Sequence, residues 1–295
     1  MTISNASVAG VTASSNFTVN NTFSIGSGAT FTPSAGVVVS GTGTLTGTGK
    51  IYVTRTSVNA DLISQYTLST LNLNSGITVE YSAASSQTIN AVNYYNLICS
   101  GGGARTLSSS GTIGMSGTFT PGGGSYSITG STIDYNGTSS QTIAAFNYNN
   151  ITISGARTSN SVTLQSGGTI GIAGTFSPNA TFTSGGYIIT NNQIEFNGSG
   201  SQTIPAFNYY YLVSSNSGAR TLASSGTIGI ASSFTPGSNS YTITNSTIEY
   251  NGSGSQTIVA FDYNNLSSSN TGARTLSSAG TIGVAGAFTP GNNSY

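Results

Sequence analysis

The sequence predicts an all-β fold, a parallel β-solenoid (β-helix). Three observations carry this: a tandem module, short alternating runs with no helical period, and a composition suited to stacked coils. Ser-Gln-Thr-Ile recurs with its glutamine at Gln87, Gln141, Gln202 and Gln256, at steps of about 54, about 61 and about 54 residues. Gly-Ala-Arg recurs at Arg105, Arg157, Arg220 and Arg274, and an acid at Glu80, Asp134, Glu195 and Glu249. A Phe-x-Pro corner falls at Pro33, Pro121, Pro178, Pro236 and Pro290.

Four tandem solenoid modules span residues 79–295 as one continuous domain, the last incomplete. Residues 1–78 form a divergent N-terminal solenoid module that keeps Phe31-Thr32-Pro33 but lacks the glutamine and arginine signatures. The series Ile248, Leu266 and Val284 has an even step. It predicts about 18 residues per coil and three coils per module of about 54. The longest copy carries insertions near Ser159–Thr163 and Asn179–Gly185.

Each unit holds short alternating runs such as Tyr241-Thr242-Ile243-Thr244, separated by Gly, Asn, Ser or Pro. So small a unit cannot bury its apolar face alone. Stacking the units buries it and pairs each strand with the coils above and below. About 15 coils follow, in a right-handed sense by common usage. Tandem β-sandwiches are the alternative, but the module is short for one, since sandwiches run to about 100 residues.

The composition agrees. Charged residues are 4%, Gly supplies 40 positions, and net charge is zero. Small Ser, Thr and Gly tolerate sharp corners, whereas like charges stacked about 4.8 Å apart repel. Six cations make no basic face, so nucleic acid is not expected as a partner. Absence of His removes the imidazole bases and ligands of enzymes and metal sites. No catalytic residue, metal or other cofactor is expected. The lone Cys99 reads as a small buried apolar residue. No uncharged stretch is apolar enough for a membrane span, and Met1-Thr2-Ile3-Ser4 does not open a signal peptide.

Eight of the twelve charges belong to the modules, as Glu80/Arg105, Asp134/Arg157, Glu195/Arg220 and Glu249/Arg274, each pair separated by about 23 to about 25 residues. The favoured reading is four structural ion pairs that pin the register of neighbouring coils. The competing reading is a spaced row that binds sugar or mineral. Acids three coils apart would lie on the order of 14 Å from one another, too far for paired-carboxylate hydrolysis. A polysaccharide-acting enzyme would instead need Asp61 or Asp262 to join a module acid beside Arg55 or Lys50.

Tyr94, Tyr148, Tyr209 and Tyr263 predict a strand face whose hydroxyls reach solvent, or an aromatic stripe for carbohydrate. Asn16, Asn136, Asn197 and Asn251 head glycosylation sequons that chance explains in so Asn-rich a chain. Thr42-Gly43-Thr44-Leu45-Thr46 would suit an ice face, but does not repeat on every coil. Gly101-Gly102-Gly103 and Gly122-Gly123-Gly124 read as turns.

The two termini match in phase. Asn293-Ser294-Tyr295 stops where earlier copies continue Thr242-Ile243-Thr244-Asn245, and Thr2-Ile3-Ser4-Asn5 resumes it, with Val8 falling where Ile248 does. Thr2, Ile3, Val8, Ser294 and Tyr295 are therefore expected contacts between copies stacked head to tail, or joints of a longer array.

The run Ser86-Gln87-Thr88-Ile89, Tyr95-Asn96-Leu97, Gly103-Ala104-Arg105-Thr106-Leu107 and Gly111-Thr112-Ile113-Gly114 resembles the Ser/Thr/Gly-rich tandem repeats of secreted bacterial surface proteins. These include adhesins with β-solenoid stalks. The resemblance implies an extracellular or cell-surface location and a non-enzymatic role in adhesion or in a surface filament; surface carbohydrate is the partner of the binding alternative. A carbohydrate- or ice-binding module is the alternative.

Overall fold

The computed structural model describes residues 1–7, 9–57 and 59–295. Among them the chain is an all-β parallel β-solenoid of about 14 turns. It forms two compact units. The first comprises Met1–Ala144, Thr152–Ser161 and Ala180–Gly186. The second comprises Ala145–Ile151, Val162–Asn179 and Tyr187–Tyr295.

In the first unit a six-stranded face runs through Val11–Ala13, Thr30–Pro33, Lys50–Val53, Thr78–Tyr81, Asn96–Cys99 and Phe119–Thr120. A second face stacks Gln87–Ile89, Arg105–Leu107 and Tyr126–Ser127, and a third contains Asn93–Tyr94, Ile113–Met115 and Thr132–Tyr135. In the second unit an eight-stranded face runs from Asn147–Tyr148 to Phe288–Thr289. Beside it Gln202–Ile204, Arg220–Leu222 and Tyr241–Thr242 stack in turn. The ladders within each unit are parallel, as coils wound in one sense require.

The alternation seen in the sequence sets the faces. In Thr247–Tyr250 the Ile and Tyr are buried and the Thr and Glu point outward. Inward residues stack like on like, for example Ile194 on Leu212 and then Phe234. An edge-to-face cluster of Phe17, Phe23 and Phe31, with ring centroids 5.1 to 6.0 Å apart, fills the N-terminal coils.

Turn length is not uniform. Gln87 lies opposite Arg105 and Thr247 opposite Asn265, a spacing of about 18 residues. Ile228 lies opposite Ile248 at a spacing of about 20 residues. Leu266 lies opposite Phe288 at about 22 residues. Leu266 thus meets Phe288 and not Val284, because the chain approaching the Phe-x-Pro corner is longer. The expectation of a uniform 18-residue coil is therefore corrected: the turn length changes from corner to corner. Spacing stretches to about 24 and about 25 residues where Thr169 meets Gln193 and Val162 meets Tyr187, in the longest copy.

One short helix, Leu62–Gln65, interrupts the strands, capped by Asp61, whose carboxylate accepts from the Ser64 N–H at 2.7 Å.

Candidate functional site

The recurrent Gln and Arg converge on one buried corner. Gln87 and Arg105 are backbone partners in adjacent turns, as are Gln202 with Arg220 and Gln256 with Arg274. All six side chains are buried.

Each Gln side chain stands in for a missing strand. Gln202 Nε2 donates to the carbonyls of Ile172 and Gly174, both at 2.8 Å, and its Oε1 accepts from the Gly198 N–H at 2.8 Å. Gln256 repeats this with Ile230, Ser232 and Gly252, and Gln141 with Met115, Gly117 and Gly137. An apolar side chain here would strand these backbone groups in the core.

Each guanidinium sits in a cage of carbonyls. Arg220 Nη2 donates to Phe196 O (2.9 Å), Gly198 O (3.1 Å) and Ser215 O (2.7 Å). Its Nη1 reaches Gly218 O (2.7 Å), Ala219 O (3.3 Å) and Gly200 O (3.4 Å). Arg105 and Arg274 build the same six-carbonyl cage. Arg157, in the longest copy, donates instead to Ser154 O (2.8 Å) and Gln141 Oε1 (2.6 Å). The planar fork aims its four Nη hydrogens at the cage, while the buried Nε of Arg105, Arg220 and Arg274 has no hydrogen-bond partner among the described residues. Burial lowers the pKa of Arg220 and Arg274 from its usual value.

Three of the four expected ion pairs are therefore corrected. Arg105, Arg220 and Arg274 spend their donors on backbone carbonyls, not on Glu80, Glu195 and Glu249. Strand parity is the cause: Arg shares the inward parity of Leu two residues on, while the acid takes the outward parity between Ile and Tyr. Glu80 pairs instead with Lys50 at 2.7 Å, and accepts from the Ser100 hydroxyl at 2.6 Å. Asp134 accepts from the Ser154 hydroxyl. Burial raises its pKa, partly offset by that hydrogen bond and by the charge of Arg157.

The aromatic reading is corrected too. Tyr94, Tyr148, Tyr209 and Tyr263 are buried, and their hydroxyls do not line a surface stripe. Tyr94 and Tyr81 share a hydroxyl–hydroxyl bond of 3.0 Å, and Tyr250 and Tyr263 one of 2.9 Å. Tyr209 donates to Pro205 O at 3.0 Å. Burial pushes the hydroxyls of Tyr81, Tyr94, Tyr209, Tyr250 and Tyr263 up, well above the usual tyrosine range for Tyr94 and Tyr209. Cys99 is buried with a free thiol, also pushed up by burial.

The sequon asparagines are ladder elements. Asn136 Nδ2 donates to Asn93 Oδ1 across an intervening turn, as Asn251 does to Asn208 and Asn197 to Asn147. The glycine of Thr-Ile-Gly lies between them. A Cβ on Gly229 would sit 1.8 Å from Asn208 Oδ1. Asn16 accepts from the Val38 N–H. Outward Thr22, Thr44 and Thr70 align on three turns only.

Other residues have local tasks. Asp61 caps the helix, and Arg55 Nε donates to Asn59 O. Asp262 is exposed on the second unit. Gln65, outside the repeat pattern, takes the corner role in the N-terminal module: its Oε1 accepts from Thr54 and Arg55 N–H, and its Nε2 reaches Val37 O. The sequence signal for it is absent, because it enters from a helix.

Of the expected end contacts, Thr2, Ser294 and Tyr295 are exposed. Ile3 is only 4% exposed and packs in register with Ile25, so its side chain is not an end contact. Val8 lies outside the described residues.

No family model, curated protein or solved structure matches this chain.

Proposed function

We propose that the chain is a structural solenoid of an extracellular filament or adhesin stalk, built by head-to-tail stacking of copies. The supporting observation is the parallel β-solenoid itself, whose turns bury apolar residues against neighbouring turns, as Leu222 and Phe234, each 1% exposed, are buried.

Electron microscopy tests this on the purified chain over a concentration series, and on the native material at the cell surface. Fibres are the expected result. Globular particles in both preparations would overturn it. The secreted, surface-protein character of the repeat belongs to the same proposal and rests on the sequence resemblance.

A further inference from the structure

The chain holds three Asn-Gly dipeptides, Asn136-Gly137, Asn197-Gly198 and Asn251-Gly252. This dipeptide is open to attack by the glycine nitrogen on the asparagine side chain, because glycine has no Cβ to hinder the approach and a freely rotating backbone. The fold demands both residues. Asn197 donates to Asn147 Oδ1 at 3.2 Å in the outer ladder, as Asn136 does to Asn93 and Asn251 to Asn208. A Cβ on Gly137, Gly198 or Gly252 would lie 2.2 Å from the carbonyl oxygen of Ser116, Ala173 or Ala231. A chemically labile pair is therefore fixed in place by packing on one residue and by the ladder on the other.

In every copy the attacking group is tied down. The buried Gly198 N–H donates to Gln202 Oε1 at 2.8 Å, the Gly252 N–H to Gln256 Oε1 at 2.8 Å, and the Gly137 N–H to Gln141 Oε1 at 3.0 Å. The carbonyls of Gly198 and Gly252 accept from Arg220 and Arg274 Nη2, and those of Asn197 and Asn251 from Asn216 and Asn270 Nδ2. The glycine nitrogen is bonded into the core while the Asn197 carboxamide is held in the ladder at the surface.

We infer that Asn136, Asn197 and Asn251 are deamidation sites that the corner glutamines hold shut, so that the chain is modified only where a corner opens. On opening, the glycine nitrogen gives up its proton to water or hydroxide and bonds to the asparagine Cγ. The side-chain amide takes up a proton and leaves as ammonia, closing a succinimide ring. Water then adds to a ring carbonyl and opens the ring to aspartate or isoaspartate. An aspartate at residue 197 replaces the ladder donor by a charge facing Asn147 Oδ1, two residues from Glu195 on the same outward parity. An isoaspartate adds a backbone atom and shifts the register. Either product keeps the corner from closing again, so a transient opening becomes a lasting one. The inference rests on the corner geometry and stands whether or not copies stack end to end.

Peptide-mapping mass spectrometry tests it on the full chain, incubated folded and in urea at the same mildly alkaline pH. The expected result is conversion of Asn136, Asn197 and Asn251 at least about tenfold slower in the folded chain, with slow hydrogen exchange at the Gly137, Gly198 and Gly252 amides. Gln202→Met removes the acceptor from the Gly198 N–H. It should speed Asn197 at least about threefold over Asn136 and Asn251 in the same molecule, whose own glutamines are intact. Gln202→Glu keeps an acceptor there and should convert Asn197 more slowly than Gln202→Met does. Three results would each overturn the inference, and the first two need no variant. They are equal folded and unfolded rates in the parent, fast exchange of the three glycine amides in the folded parent, and an Asn197 no faster than its two counterparts in a Gln202→Met chain that circular dichroism finds folded.

Discussion

Arg105 lies one turn above Gln87, its backbone partner, and both side chains turn into the core. The Gln satisfies backbone groups at the corner, and the guanidinium gathers six carbonyls from its own turn and the one below. The cation is held by oriented peptide dipoles, which offset the cost of burying it. The corner repeats with nearly the same distances at Gln202/Arg220 and Gln256/Arg274.

Removing a cage arginine should be severe. Arg220→Ala leaves buried carbonyls without donors, so stability should fall by on the order of 3–5 kcal/mol. Arg220→Lys keeps the charge but offers three donors for six carbonyls, and should recover less than half of the loss. Denaturant midpoints of the two variants against the parent measure this.

The glycine two residues before the arginine should be intolerant, while a neighbour in the same corner is not. A Cβ on Gly272 would lie 2.0 Å from Gly254 O and 2.7 Å from Arg274 Nη1. Gly254 itself has open space around its would-be Cβ. Gly272→Ala should cost about 2 kcal/mol or more. Gly254→Ala should be neutral or stabilise by about 0.5 kcal/mol, through the unfolded chain. Thermal melts of the pair separate the two outcomes.

Alkaline pH should unfold the protein. Burial raises the hydroxyl pKa of Tyr66, Tyr94 and Tyr209 well above 10. The unfolded chain ionises near pH 10. A folded pKa raised above the unfolded one stabilises fully below pH about 10, and that contribution is lost as pH rises beyond it. Absorbance at the tyrosinate band should therefore show a late fraction that appears together with loss of circular dichroism. Ionisation of all tyrosines while the fold is intact would contradict this.

Equivalent leucines should differ in weight. Leu222→Ala removes a fully covered side chain and should cost about 2–5 kcal/mol. Leu276→Ala, at the half-exposed equivalent, should cost under about 1 kcal/mol in the monomer. If the terminal turn docks another turn, Leu276→Ala should also raise the concentration at which fibres form, as light scattering would report.

The repeat, the short strands and the turn residues are legible in the sequence, since a period of two and a period of about 54 are both visible without coordinates. The charges are where sequence spacing misleads. A separation of about 25 residues between Glu195 and Arg220 suits contact across turns, but the two residues have opposite strand parity. The alternation in Thr-Ile-Glu-Tyr against Arg-Thr-Leu carried that information. The signal for the cage was also present, as a glycine two residues before Arg105, Arg220 and Arg274 and one four residues before Gln141, Gln202 and Gln256. Its meaning depends on which backbone crosses there, and that is a tertiary fact.

The sequence by itself determined the solenoid class, the module and the burial of Cys99, because these follow from local patterning repeated in tandem. Only the tertiary structure decided the turn lengths, the fate of the arginines and the burial of Tyr94, Tyr148, Tyr209 and Tyr263. Those depend on how far each corner carries the chain before it meets the turn below. The difference between a turn of about 18 and one of about 22 residues changes which side chains stack, and places Phe288 rather than Val284 on Leu266.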